Sequence, residues 1–478
     1  MIRMTVGEMM EATGAELVAG DPSVSFEGLS IDSRTIPPHG AFVAFAGERV
    51  DGNRFAANAL ESGARVVVLT AQAPSEALGA VSKRGGALLR AADDDGEAFM
   101  LALAKAWRAR NPQWRVVGVT GSVGKTTTKE MLAAGIGACA RTHATRGNFN
   151  NLLGVPLTLF DASPEDEVLV VEMCMNNAGE LSRIADAAMP QVAVITNVGT
   201  SHIGNLGSRE GIARAKAEVV GGLKAANGVG PVLVLSDADD FADFIESEFC
   251  APAGVRCLRV GGSGSPVGPA RVTLDAQGLP TFEVAVQGVG TLSGTLSLPG
   301  RAMVYDLQSA LGAILALGLP CKEAVEGICK MRAARMRMEV RQNGESPRVI
   351  DDSYNASPSS MAAALDVLCA MKCEGRRVAI LGEIGELGDE SCRLHELVGA
   401  YAAAKPLDML VLIGSDEAEH MAQAARTMGF SEDRLERFAS AKDAAKALID
   451  VFGKDDLVLV KASRAAGLDR LSEEVLNA

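Results

Sequence analysis

The sequence predicts an α/β protein of three units, and three observations carry that prediction. Buried-looking strands alternate with helical segments along most of the chain, the pattern of parallel sheets covered by helices. One strand runs straight into a glycine-rich turn and a helix, WRVVGVTGSVGKTTTKEML, Trp114 to Leu132. The chain has 478 residues and 48% hydrophobic content, enough for about three cores at roughly 100 to 200 residues per domain. The expected divisions are 1–112, 113–333 and 334–478.

Each unit has its own signature. In the first, apolar runs FVAF (Phe42 to Phe45) and RVVVL (Arg65 to Leu69) flank a helical segment, FAANALESGA, as in a small α/β domain. A helix ending AKAWRARNP closes it at Pro112, a residue that cannot continue a helix. The strand before the glycine-rich turn starts at once. Strands EVLVVEM (Glu167 to Met173), VAVITN (Val192 to Asn197) and PVLVLS (Pro231 to Ser236) then alternate with helices, predicting a doubly wound sheet. From Gly261 to Gly300 the texture changes. The run VTLDAQGLPTFEVAV predicts an antiparallel β insertion, GGSGSPVGP a loop, and LQSALGAILALG a helix after it. The third unit, with RVIDDS, MAAALDVL, RVAILGE, DMLVLIG and DLVLVKAS, predicts a Rossmann-like domain.

Composition narrows the function. A net charge of −14 argues against a general nucleic-acid binder and leaves any phosphate site to local positive charge. The nine cysteines show no CxxC or zinc-like spacing, so reduced thiols in a cytoplasmic protein are expected. The N-terminal MIRMTVGEMMEATGAE carries Glu8 and Glu11, and no apolar run reaches membrane-spanning length. A soluble monomer is the expectation.

The glycine-rich turn carries the most specific chemistry. Backbone N–H groups of Gly121, Ser122, Val123 and Gly124 and the following helix N-terminus can face an anion. Lys125 can then reach the β/γ-phosphates of ATP or GTP, with the hydroxyl of Thr126, ahead of Thr127, on Mg²⁺. The strict Walker pattern has glycine at position 119, which is valine here, so this is a shortened variant. Glu172 ends strand EVLVVEM, where α/β proteins place ligand-binding groups, and is a candidate for the metal. His202, in TNVGTSHIGNLGS, follows the next strand on the same sheet edge. On helix REGIARAKAEVVGGL, Lys216 shares the apolar stripe of Ile212, Val219 and Leu223. An inward lysine must snorkel, pair with an acid or carry a modified amine.

These motifs together resemble the Mur ligases, ATP-dependent amide-forming enzymes of bacterial peptidoglycan precursor synthesis, over nearly the whole chain. The resemblance implies a UDP-binding N-terminal domain, a central ATP-binding domain and a C-terminal ligase domain. It also implies that Lys216 is a carbamate, and that Thr126, Glu172, His202 and this modified lysine hold two Mg²⁺ ions beside Lys125. DSRTIPPHGAFVAFAGERVDGNRF, Asp32 to Phe55, is similar to the family's uridine-nucleotide segment, implying Ser33 and Arg34 near the UDP end. TRGNFNNLLGVPLTL resembles the segment meeting the muramoyl peptide, implying Asn148 and Asn151. VIDDSYNASPSSMAAAL and LGEIGELGDESCRLHELVG resemble the branch that adds D-alanyl-D-alanine, and no DNPR-type motif of the diamino-acid-adding branch is present. In that branch Arg337 and Asp351 would contact the phosphate and ribose of ATP, and Asn355, Ser357 and Pro358 the dipeptide.

The implied reaction joins UDP-N-acetylmuramoyl-tripeptide to D-alanyl-D-alanine through an acyl phosphate, with the C-terminal domain closing on the central one. A diamino-acid-adding ligase acting on UDP-N-acetylmuramoyl-L-alanyl-D-glutamate and a catalytically silent nucleotide-binding relative remain alternatives. A folylpolyglutamate synthetase is disfavoured by the UDP-like segment. The chain departs from the family pattern at Ala302, Met303 and Asp306, where a His-Asn pair and a second Asn are usual, and at Met336, Ala462 and Asn53.

Overall fold

The computed structural model describes residues 1–47, 50–448 and 450–477. Glu48 and Arg49, inside the segment resembling a uridine-nucleotide site, lie outside the described residues. The first unit contains β1 (Arg3–Thr5), β2 (Glu16–Gly20), β3 (Ser25–Glu27), β4 (Leu29–Ser30), β5 (Ala41–Val43), β6 (Val66–Leu69) and β7 (Ala87–Arg90). β1 and β3 form an antiparallel ribbon, and the rest a sheet of order β2-β7-β6-β5-β4 with only β2 antiparallel. β6, Val-Val-Val-Leu, is buried throughout because helices cover both faces of the sheet. The helix Gly96–Arg110 presents Phe99, Leu103 and Trp107 to a core that also holds Val66 and Val68 of this sheet and Leu159 of the next unit. The Trp107 indole donates to Leu159 O at 3.1 Å, so this helix fastens the first unit to the second.

The central sheet has nine strands: β8 (Arg115–Thr120), β9 (Thr142–Ala144), β10 (Val168–Glu172), β11 (Val192–Ile195), β12 (Val232–Ser236), β13 (Arg256–Val260), β14 (Val267–Leu274), β15 (Pro280–Val286) and β16 (Gly290–Thr295). Their order is β16-β15-β14-β13-β12-β11-β8-β10-β9. From β8 the chain first builds to one side with β9 and β10, then crosses to the other with β11. The carboxyl ends of β8, β10 and β11 therefore adjoin at a topological switch point, where open α/β sheets bind ligands.

The predicted β insertion is the continuation of this sheet and not a separate layer. β14 pairs parallel with β13, and β15 and β16 then add antiparallel. Phe282, Val284 and Val286, alternating inward along β15, share a core with Val304, Leu307 and Leu311 of the helix Met303–Ala316. That shared apolar face holds the hairpin in plane.

The third unit contains β17 (Glu339–Arg341), β18 (Arg348–Asp351), β19 (Arg377–Gly382), β20 (Met409–Ile413), β21 (Leu435–Phe438) and β22 (Leu457–Lys461) in the order β17-β18-β22-β19-β20-β21. Only β17 is antiparallel. All nine cysteines are free thiols. Among the described residues no helix is long and apolar enough to cross a membrane.

Candidate active site

The glycine-rich turn sits at the carboxyl end of β8 and is held by the loop after β11. Val119 remains inside β8, so the loop proper spans Gly121 to Gly124. Gly121 has φ +145°, and a Cβ there would lie 1.9 Å from Thr196 Oγ1. Gly124 has φ +84°, and its Cβ would lie 2.3 Å from Asp306 Oδ1. Both positions need glycine for conformation and for space. Val123 N–H donates to Asn197 Oδ1 (3.0 Å), while Thr196 Oγ1 (2.5 Å) and Asn197 Nδ2 (2.9 Å) donate to Val123 O. Thr196 and Asn197 are thus site residues absent from the sequence prediction; their signal was a polar pair closing an apolar strand. Ser122, Val123, Gly124, Lys125, Thr126 and Thr127 line a cavity of about 1250 Å³. Gly121 stands behind it and shapes the turn. Lys125 Nζ donates to Gly121 O (2.7 Å) and Ser122 O (3.2 Å), and the N-terminus of the helix Lys125–Gly137 faces the cavity.

Glu172 ends β10 beside this loop and is 2% exposed. Its Oε1 accepts from Thr126 Oγ1 (3.2 Å) and Asn150 Nδ2 (2.9 Å), whereas Oε2 is buried with no hydrogen-bond partner among the described residues. An unpartnered buried carboxylate oxygen is costly, and a hard cation satisfies it. The residues present therefore fit Mg²⁺ held by Glu172 and Thr126. His202, with φ +64°, is turned inward so that its Nδ1 lies 2.5 Å from Glu386 Oε2 of the third unit, without hydrogen-bond alignment. Burial depresses the imidazolium, but the Cys174 thiol and Glu386 outweigh it and raise the His202 pKa.

Lys216 is 2% exposed, and none of the hydrogen bonds or ion pairs among the described residues engages its Nζ. Burial, reinforced by Lys125, brings its pKa down to about 7, which favours the neutral amine relative to an exposed lysine. Snorkelling is excluded by this burial. The helix that carries it is interrupted at Glu218, whose carboxylate accepts from Gly179 N–H (2.7 Å) and Ser182 N–H (3.2 Å).

The facing wall comes from the third unit. The Arg337 guanidinium stacks 4.0 Å from the Tyr354 ring centroid, and its Nη2 reaches 3.3 Å from Thr126 Oγ1. Gly204 N–H donates to Glu386 O at 3.0 Å, a second contact between the two units. Lys461 Nζ pairs with Asp352 Oδ2 (2.5 Å) and donates to Asn355 O (2.9 Å).

The geometry brings some of the predicted site residues to the cavity and leaves others off it. Asp351 does not face the cavity: its carboxylate is bound to Arg341 (3.0 Å) and to Ser353 Oγ (2.6 Å), and the cavity-lining acid is Asp352. Asn151 Oδ1 accepts from the N–H groups of Leu153 (3.2 Å) and Gly154 (2.8 Å) where the helix Gly154–Asp161 begins, leaving Asn148 and Asn150 on the cavity. Asn355 and Ser357 line the cavity, and Ser357 also caps the helix Pro358–Ala370. Pro358 is that helix's first residue and is not on the cavity wall. Ser33 and Arg34 lie on the first unit, away from the cavity, with Arg34 in an exposed ion pair with Asp32 (2.7 Å).

The departures from the family pattern have local explanations. Asn53 is buried, and its amide bonds Asp51 Oδ1 (2.8 Å) and Thr70 N–H (2.9 Å). The Ala462 methyl packs over Gly382, where a Cβ would lie 2.7 Å from it. Met336 has φ +60°, a left-handed conformation that explains why glycine is common there. Met336→Gly should therefore leave the thermal unfolding midpoint unchanged or raise it, with a gain of up to about 1 kcal/mol from relieved strain less glycine entropy; a clear drop would contradict the strain reading.

Asp306 is buried against the loop, and burial raises its carboxyl from 3.8 to about 8. Between those values the folded state holds a proton that the unfolded state has lost, so this group's contribution to stability falls as pH rises. Asp306→Asn removes that loss, and its stability advantage over the parent should widen from pH 5 to pH 8 by at most about 1.4 kcal/mol per pH unit. Urea denaturation at the two pH values checks it; an advantage independent of pH would refute it.

A glycine-rich loop at a strand end, a buried carboxylate with an unpartnered oxygen and a cavity closed by a second α/β unit define a nucleotide-dependent multidomain protein. The family models named "Mur ligase family, catalytic domain", "Mur ligase middle domain" and "Mur ligase, glutamate ligase domain" match residues 25–96, 119–314 and 336–464. The UDP-N-acetylmuramoyl-tripeptide–D-alanyl-D-alanine ligase of Bacillus subtilis is 31% identical, covering 100% of this chain and 99% of its own. A MurF crystal structure from Acinetobacter baumannii superposes with a TM-score of 0.86 at 30% identity, over 100% and 99% of the two chains. MurF from Thermotoga maritima in complex with ADP superposes at 0.78 and 26% identity, over 94% and 97%. The chain belongs to the Mur ligase family.

Proposed function

We propose that this chain is an ATP-dependent ligase that joins D-alanyl-D-alanine to UDP-N-acetylmuramoyl-tripeptide in peptidoglycan precursor synthesis. The observation that carries the reading is the convergence, on one cavity, of the phosphate loop, the orphaned oxygen of Glu172 and Arg337 from the third unit. The full-length similarity to ligases named for this reaction supports the substrates. Division near residues 112 and 333, action as a monomer and a cytoplasmic location belong to the same proposal.

The terminal carboxylate of the tripeptide attacks the γ-phosphorus of ATP, breaking the bond to the β,γ-bridging oxygen and releasing ADP. The dipeptide amine then attacks the acyl carbon, phosphate leaves, and the amine loses a proton as the amide forms. Both steps concentrate anionic charge, which Lys125, the loop N–H groups and Arg337 stabilise by preorganised donors. Thr126, Glu172, His202 and a carbamate at Lys216 would hold Mg²⁺, which when bound would supply further neutralisation of the phosphates. The neutral Lys216 amine can add to CO₂ with loss of a proton, turning a buried cation into an oxygen ligand. In this reading Asp352, in place of Asp351, would contact the ribose, Asn148 the muramoyl peptide, Asn355 and Ser357 the dipeptide, and Ser33 and Arg34 the UDP end. The Arg337 and Glu386 contacts exclude water from the acyl phosphate when the third unit is closed.

The test is phosphate release from ATP and Mg²⁺ with the tripeptide nucleotide plus D-alanyl-D-alanine, beside the dipeptide nucleotide plus a diamino acid. Turnover only in the first mixture is expected. Turnover only in the second would assign the diamino-acid-adding reaction, and silence in both despite ATP binding would assign a non-catalytic relative.

A further inference from the structure

We propose that Cys392, Glu396 and His420, on the outer face of the third unit, form a separate binding site for a borderline divalent cation of the zinc type. Cys392 and Glu396 are one turn apart on the helix Ser391–Ala403, so both side chains project from the same face. His420 comes from the helix Asp416–Thr427 packed against it. Cys392 Sγ lies 3.5 Å from His420 Nδ1 and 3.7 Å from Glu396 Oε1, and the three candidate ligand atoms all lie within 4.8 Å of one another.

Those separations are the argument. A tetrahedral zinc ion bonds sulfur at about 2.3 Å and imidazole nitrogen or carboxylate oxygen at about 2.0 Å, which places sulfur about 3.5 Å from each of the other two donors. The two edges from Cys392 sulfur therefore already have nearly the length that such a polyhedron requires. The donor set is thiolate, imidazole and carboxylate, which suits zinc and not the all-oxygen preference of Mg²⁺. Three protein ligands leave the fourth position to water.

None of the three residues lines the cavity described above, so this site is distinct from the Glu172 centre. It is nevertheless connected to the interface between the second and third units. His395, beside Glu396, bonds Ser391 O through Nδ1 (2.7 Å) and accepts from Ile384 N–H through Nε2 (3.0 Å). Ile384 begins the segment whose Glu386 meets His202 and Gly204. A cation at Cys392 would pin the first turn of the helix that anchors this segment.

The test uses the full chain, chelator-treated and then held in excess Mg²⁺ to occupy the other cation site. Calorimetric titration with Zn²⁺ should give one saturable site, and Cys392→Ser and His420→Ala should each weaken it by at least about tenfold. Co²⁺ should give a thiolate-to-cobalt charge-transfer band that Cys392→Ser abolishes. Zn²⁺ should also protect Cys392 of the parent protein from alkylation, a readout independent of how the variants fold. Both variants should retain the parent's phosphate release in Mg²⁺. Absence of binding, unaltered affinity in both variants, or alkylation of Cys392 at the same rate with and without Zn²⁺ would each overturn the proposal.

Discussion

Replacing Lys125 with alanine should reduce phosphate release by about 10²- to 10³-fold, the usual cost of removing one preorganised donor from a site where negative charge develops. Lys125 is the cation of the loop itself, and its Nζ is anchored on the carbonyls of Gly121 and Ser122, within the cavity. Gly121 and Ser122 are buried, so losing this donor from their carbonyls should also lower stability modestly, by about 1 kcal/mol. Arginine is not expected to restore turnover, because a planar fork cannot place its charge where a compact ammonium sits. Single-turnover phosphate release beside nucleotide binding separates the two effects. Activity within tenfold of the parent would mean that the loop N–H groups alone neutralise the phosphates.

Lys216→Met should lose turnover by at least about 10²-fold while leaving the protein as stable as the parent or more so, since it removes a buried amine that makes no hydrogen bond or ion pair among the described residues. This combination separates a functional lysine from a packing one. If the side chain works as a carbamate, activity of the parent should fall in CO₂-depleted buffer and recover with bicarbonate. A ¹³C carbamate signal should then form from labelled bicarbonate in the parent and be absent from the variant. Retained activity in Lys216→Met, or a parent indifferent to bicarbonate with no labelled carbamate, would remove Lys216 from the cation site.

What was legible in the sequence was whatever chemistry is local in the chain. The phosphate loop is one contiguous strand, turn and helix, so Gly124, Lys125 and Thr126 could be assigned from residue type and spacing alone. Lys216 could be turned inward from helical periodicity, and Glu172 put at a sheet edge from the end of an apolar run. The alternation of strands and helices likewise predicted three α/β units, because burial on both faces forces near-continuous apolar strands.

Tertiary structure decided everything that depends on which way a side chain turns or on a partner far along the chain. Asp351 and Asp352 are adjacent acids at a strand end; successive side chains take opposite faces, so only the sheet's position relative to the cavity chooses between them. Asn150 and Asn151 pose the same ambiguity, resolved by the start of a helix on one side and Glu172 on the other. The reach of Arg337 to Thr126 spans 211 residues, and the pairing of β14 to β13 depends on a shared core. Neither leaves a local trace, since residue type and spacing record the bonding capacity of each group, whereas packing of distant elements selects the partner that satisfies it.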